Sequence, residues 1–253
     1  MRNFPRPKPL QHAAGFAFLF CAFSFLFIAQ SCSPQVSFVV ADNGHTTCDF
    51  SVTLDSDTRT LLAYLYAADG GEAKDPDALA LFDTKTIQNA FVKSGFSDVR
   101  VGTNRNSSLS VHFASSNVND IFFRIPSATY DEANGVKRLR WLISPDTAKL
   151  LLDIFPEDSS GYMALFMAPI LTDERMSADE YIELISGVYG NAAGALLKKS
   201  AFKMTFTLPG PVVVRAVPKG VSTDVNGKTV TISMPLAELL CVTGRFSFEI
   251  QWT

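Results

Sequence analysis

The chain is poor in the residues that carry most enzyme chemistry. It has three histidines, four cysteines and two tryptophans in 253 residues. No HExxH, CxxC or close His/Cys cluster spells out a metal site. No GxSxG elbow and no phosphate-cradling glycine loop is present. Basic residues are also few, 22 against 25 acidic ones, for a formal charge of −3. That balance argues against a nucleic-acid binder, whose phosphate contacts need a basic face. Long apolar runs are missing too. The two longest, Gly15–Ala29 and "YMALFMAPIL" at Tyr162–Leu171, fall short of the roughly 20 residues of a comfortable membrane span. No metal, cofactor or nucleic acid is therefore expected, and no catalytic residue is assigned.

What is present begins at the N-terminus. Arg2, Arg6 and Lys8 precede the uncharged run Gly15–Ala29, 15 residues of which six are Phe. A basic region, a short apolar stretch and then small residues read as a secretory signal over residues 1–31. An uncleaved membrane anchor is the alternative. Removing residues 1–31 takes three positive charges away, leaving 19 basic and 25 acidic residues and a charge of −6.

The run ends in Ala29-Gln30-Ser31-Cys32. Ser31 before Cys32 suits a bacterial lipoprotein junction; Ala29 and Gln30 depart from its strict form, and the segment resembles the relaxed boxes of spirochaete lipoproteins. Lipidation of Cys32 would fix the protein to a membrane, since each buried acyl CH₂ contributes about 0.8 kcal/mol. Ala29-Gln30-Ser31 also suits ordinary signal peptidase, and a later cut after Val39-Val40-Ala41 is a further alternative. With Cys21 gone and Cys32 acylated, Cys48 and Cys241 remain as a candidate disulfide. Two buried, separate thiols are the competing reading.

Residues 32–47, with Pro34, Asn43 and Gly44, read as a tether from the lipidated cysteine, and His45 lies in it. One domain, 48–253, follows. Cys48, Phe50, Val52 and Leu54 alternate with polar residues, as a half-buried strand does. "TRTLLAYLYAADGG" reads as a helix, and so does the segment from Asp83 to Gly95. "DVRVG", "SLSVHFA", "DIFFRIP" and "KRLRWLIS" read as strands, with a turn at Asn134-Gly135. A helical block spans 144–199. Within it Ser177 and Glu180 make a capping box, flanked by the apolar pair Met176 and Tyr181. "AFKMTFTLP", "PVVVRAV", a hairpin turning at Asn226-Gly227 and "RFSFEIQWT" return to strand, with a helical turn at "LAELL". Clean alternation and segregated helices predict an α+β fold: a largely antiparallel sheet with the helical block packed on one face.

The Phe-rich signal ending at Cys32, "YMALFMAPILTDERMSADEYIELISGVYG" and "GKTVTISMPLAELLCVTGRFSFEIQW" together resemble uncharacterised spirochaete lipoproteins of the treponemal type. The resemblance loosely covers residues 16–253. It implies the bacterial cell envelope, periplasmic or surface facing, with an outer-membrane or periplasmic role. It carries no catalytic residues.

Two further features are candidates for binding. Lys137, Arg138 and Arg140 surround Trp141, with Arg138 and Arg140 on the opposite face from it; they could meet lipid headgroups or an anionic partner. Tyr162, Met163, Phe166 and Met167 could line an apolar pocket, since methionine-rich surfaces adapt to varied ligands. Either set could equally be ordinary sheet surface or core. His112 reads as an exposed histidine on the polar face of its strand. The acidic pairs Asp131-Glu132, Glu157-Asp158, Asp173-Glu174 and Asp179-Glu180 fit turns and helix starts. The expected function is that of an exported, membrane-anchored envelope lipoprotein, a non-enzymatic binding or assembly module with a lipid or envelope protein as partner. The alternatives are a carrier of a lipid or other amphiphile and an envelope hydrolase.

Overall fold

Val36, Phe38 and Val40 alternate with polar or exposed neighbours, and all three are buried. They form strand β1, Gln35–Val40, in the computed structural model of the protein. It describes residues 35–54, 56, 59–60, 82, 84–104, 107–122, 128–146, 169, 175–241 and 244–253. The tether expected over 32–47 is thus corrected from residue 35 onward. Asn43 and Gly44 do not loosen a linker; they close a turn between β1 and β2 (Thr46–Thr53), in which the Ala41 N–H donates to the His45 carbonyl at 2.8 Å and Gly44 takes φ +81°. A positive φ is where glycine is the favoured residue.

The remaining described elements are α1 (Thr84–Lys93), β3 (Ser97–Asn104), β4 (Ser108–Ser115), α2 (Val118–Phe122), β5 (Ala128–Ala133), β6 (Val136–Ile143), α3 (Ala178–Tyr189), α4 (Asn191–Lys199), β7 (Ala201–Thr207), β8 (Val213–Arg215), β9 (Ser222–Asn226), β10 (Thr229–Pro235), α5 (Leu236–Leu240) and β11 (Phe246–Trp252). The chain is mixed α/β with mostly antiparallel sheets. One sheet has seven strands in the order β3-β4-β2-β1-β7-β10-β9, the other four in the order β5-β6-β11-β8. Among these pairs only β1 with β7 is parallel. That pairing puts the first described strand at the centre of the larger sheet, between β2 and β7.

Period-two burial sets the inner faces. Cys48, Phe50 and Val52 on β2, Leu109, Val111 and Phe113 on β4, Phe202, Met204 and Phe206 on β7, and Val230, Ile232 and Met234 on β10 all point into one core. The smaller sheet contributes Leu139, Trp141, Phe248, Ile250 and Trp252. Aromatic rings join the two sheets. Phe206 stacks on Phe38 with centroids 5.1 Å apart and meets Trp141 at 6.4 Å, while Phe122 lies against all three. A second group, Phe91, Phe96 and Phe113, fixes α1 to the β3–β4 end of the larger sheet.

Several local expectations change. "DIFFRIP" does not begin as a strand: its first three residues complete α2. Ser115 and Asn117 explain it, because the Asn119 N–H donates to Asn117 Oδ1 and the Asn117 N–H to Ser115 Oγ, a turn that starts a helix. Val118, Ile121 and Phe122 then share a buried face at helical spacing. "ATYDEA" is a strand, β5, and the Asn134-Gly135 loop that follows takes φ +55° and +74°, the conformation of a tight hairpin turn. "PVVVRAV" contributes only three residues, β8, at the edge of the smaller sheet.

The capping box forms as read: Ser177 Oγ accepts from the Glu180 N–H and the Glu180 carboxylate accepts from the Ser177 N–H. Of the helix expected over 58–71 only Arg59 and Thr60 are described, both helical, and most of the first half of 144–199 lies outside the described residues, as does Asp83.

The candidate disulfide is not made. Cys48 and Cys241 are both free and buried. Cys48 is on β2 and Cys241 follows the helix leaving β10, three strand positions away.

Candidate functional site

The outer face of the seven-stranded sheet is mostly polar, with Val39 an exposed apolar exception. One cross-strand row runs Arg100, His112, Asp49, Ser37, Thr205, Thr231 and Asp224 from β3 to β9. Its charged end is a network. His112 Nδ1 lies 2.7 Å from Asp49 Oδ1, and Nε2 lies 3.2 Å from Asp98 Oδ2. Arg100 closes the chain by donating from Nε to Asp98 Oδ1 at 3.0 Å. The Arg100 guanidinium holds the Asp98 carboxyl below its ordinary range, with His112 adding to the effect. Asp98 sits in the irregularity where the β3–β4 register shifts, with φ +51°.

A neutral imidazole has one N–H and can donate to one of these carboxylates; only the imidazolium donates to both. With both ring nitrogens facing acids, His112 has no free nitrogen to serve a nucleophile. This is a surface ion network bridging three strands. Sequence alternation places His112 on the polar face, but the partners from β2 and β3 depend on long-range pairing that no local pattern reveals.

The smaller sheet separates residues the sequence groups together. Arg138 and Arg140 are on its outer face. Arg140 donates from Nε and Nη2 to Glu249 Oε2, at 3.1 and 2.7 Å, and Arg138 donates to Asp131 at 3.3 Å. Arg140, followed by Gln251, holds the Glu249 carboxyl low. Lys137 lies across from Trp252 and Glu132, in the alternate register and so on the other face. Of the expected basic cluster, two members share a face and each already has a carboxylate partner.

A groove opens elsewhere, between the β8–β9 loop, α5 and the segment entering β11. Its volume is about 240 Å³. Buried Met234 and Cys241, with the partly buried Val221 and Leu239, supply apolar lining. Lys219, Glu238 and Arg245 supply charge, and all three are exposed. None of the three makes an ion pair among the described residues. The Cys241 thiol is pushed up to about 12, by burial first and then by the nearby Glu238 and Glu180 carboxylates, so it is a neutral, unreactive part of the wall. The loop is held in a defined shape, with Ala216 at φ +55° and Gly220 at φ +87°. No local pattern reveals this groove, because Lys219, Glu238 and Arg245 are far apart in the chain and each has the character of ordinary surface.

Cys32 and the apolar set Tyr162, Met163, Phe166 and Met167 lie outside the described residues. Of the acidic pairs, Asp131-Glu132 is on β5 and Asp179-Glu180 opens α3. Among the described residues no group of three or more His, Cys, Asp or Glu side chains is placed to hold a metal, and no helix is long and apolar enough to cross a membrane. Comparisons of the chain with protein-family models, with curated proteins and with solved structures find no match.

Proposed function

We propose that this is an exported envelope lipoprotein, anchored to a membrane through Cys32 and acting as a non-enzymatic binding module. The observation that carries this reading is the position of β1. A signal cut after Ala41 would remove a strand whose Val36, Phe38 and Val40 are buried between β2 and β7. A mature chain that keeps residues from Gln35 onward retains this strand, so β1 favours a cut at the Ser31–Cys32 junction over the later one, and the lipoprotein reading of that junction rests on Cys32 itself. The resemblance to treponemal-type lipoproteins agrees with it, and the segregated helical block 144–199 packed on one face of the sheet belongs to the same reading.

Covalent geometry adds a consequence. Only Ser33 and Pro34 separate Cys32 from Gln35, and the three residue-to-residue steps between them can span at most about 11 Å. An acylated Cys32 holds the domain against the membrane rather than on a long leash. The test is Cys32→Ala, expected to abolish palmitate incorporation and move the protein from the membrane fraction to the soluble one. Unchanged labelling and partitioning would sink the anchor.

A further inference from the structure

The geometry points to a phosphoethanolamine headgroup, presented by the membrane surface, as the occupant of the groove between the β8–β9 loop and α5. The chemistry of the ligand is argued from the groove alone; only its source rests on the anchored reading.

Size comes first. About 240 Å³ is below the roughly 300–1,000 Å³ of sites for drug-sized ligands. A headgroup fits; a lipid with its chains does not. Charge comes next. Lys219 and Arg245 offer donors suited to a phosphate, Arg245 through a planar fork, and Glu238 offers a carboxylate at the same groove. A simple anion would face Glu238, and a simple cation would face two positive side chains. A zwitterion satisfies all three, with phosphate oxygens accepting from Lys219 and Arg245 and an ammonium donating to Glu238. Val221, Met234 and Leu239 remain for the glycerol carbons and first methylenes.

The ammonium should be primary. Among the described residues no aromatic ring lines the groove, so a quaternary choline would find no cation–π cage, whereas ethanolamine keeps N–H donors for Glu238. The loop is shaped in advance: Ala216 holds a positive φ that residues with a Cβ seldom adopt.

Position supplies the source. Ser233, beside Met234, shares a cross-strand row with Lys203 and Gln35. Two strand spacings separate Ser233 from Gln35, about 10 Å, and Cys32 lies at most about 11 Å beyond. The groove is thus at the end of the sheet that an acylated Cys32 would bring to the membrane.

The experiment uses the full chain in phosphate-free maltoside micelles and reads binding by saturation-transfer NMR. The probes are glycerophosphoethanolamine, glycerophosphocholine, glycerol 3-phosphate and inorganic phosphate. Glycerophosphoethanolamine is expected to bind best, with affinity falling about tenfold or more in Arg245→Gln and in Glu238→Gln. Glycerol 3-phosphate or inorganic phosphate binding equally well, with Glu238→Gln indifferent, would make this a free-anion site and overturn the assignment. So would binding by no probe, or binding that both variants leave intact. In a second arm, Cys32→Ala protein is sedimented with phosphatidylethanolamine or phosphatidylglycerol vesicles. Residual association is expected to favour phosphatidylethanolamine and to fall with Arg245→Gln added; equal association with both would overturn the membrane source. If Cys32→Ala leaves partitioning in cells unchanged while the soluble headgroup still binds, the anchor fails and the ligand assignment is upheld.

Discussion

Trp141 of the four-stranded sheet and Phe206 of the seven-stranded sheet meet edge to face, with ring centroids 6.4 Å apart and planes inclined by 64°. Aromatic pairs in this arrangement contribute about 0.5–1.5 kcal/mol beyond the area they bury. Phe206 is fully buried and also touches Phe38 and Phe122, so one side chain ties together β1, β7, α2 and β6. Phe206→Ala is expected to cost about 3–5 kcal/mol and to lower the urea midpoint by about 1–2 M. A shift below a few tenths molar would mean that the sheets are held together elsewhere.

Strand β1 makes the second prediction. It pairs with β2 on one side and β7 on the other, so its loss would split the larger sheet into two three-stranded pieces, each with an exposed edge. A chain beginning at residue 42 is expected to be insoluble or to lack a cooperative unfolding transition, whereas one beginning at Cys32 should show a single sharp one. Cooperative unfolding of the shorter chain would reopen the later cleavage site.

The local half of this fold was legible in the sequence, and the reasons are physical. Ser177, Glu180, Met176 and Tyr181 act within one turn of helix, so their spacing alone declares the α3 start. Phe248, Ile250 and Trp252 alternate, so the buried face of β11 could be read directly. β1 was missed because Pro34 and the Asn43-Gly44 turn flank it and look like linker composition, while Val36, Phe38 and Val40 give only three alternations. The parallel β1–β7 pairing joins residues more than 160 positions apart in the chain, which no window detects. The groove was invisible for the same reason: Lys219, Glu238 and Arg245 meet only after β9, β10 and α5 have folded.

The cysteines yield a chemical prediction. Burial pushes the Cys48 thiol up, with Asp49 adding to it, and burial likewise raises Cys241. Since the thiolate is the nucleophile, both should resist iodoacetamide in the native protein and react promptly in guanidinium chloride, as counted by mass spectrometry. Mild oxidant should produce no internal disulfide. A Cys48–Cys241 bridge detected in the native protein would contradict the two separate buried thiols.

The capping box supplies a pH-dependent prediction. The Glu180 carboxylate accepts from the Ser177 N–H and from its hydroxyl, each at 2.8 Å, and these bonds, the backbone one first, hold its pKa below the ordinary glutamate value. A carboxyl depressed in the folded state contributes stability that is complete above its unfolded pKa, about 4.3, and lost as pH falls through the folded value. Glu180→Gln should therefore be less stable than the parent by a constant margin from pH 7 down to about pH 5, and the two should converge in more acidic solution. Ser177→Ala removes the acceptor for the Glu180 N–H and should cost about 1 kcal/mol. Guanidinium unfolding of the three proteins across that pH range is the measurement. If the gap between Glu180→Gln and the parent persists unchanged into acid, the ionised carboxylate is not what holds the start of α3.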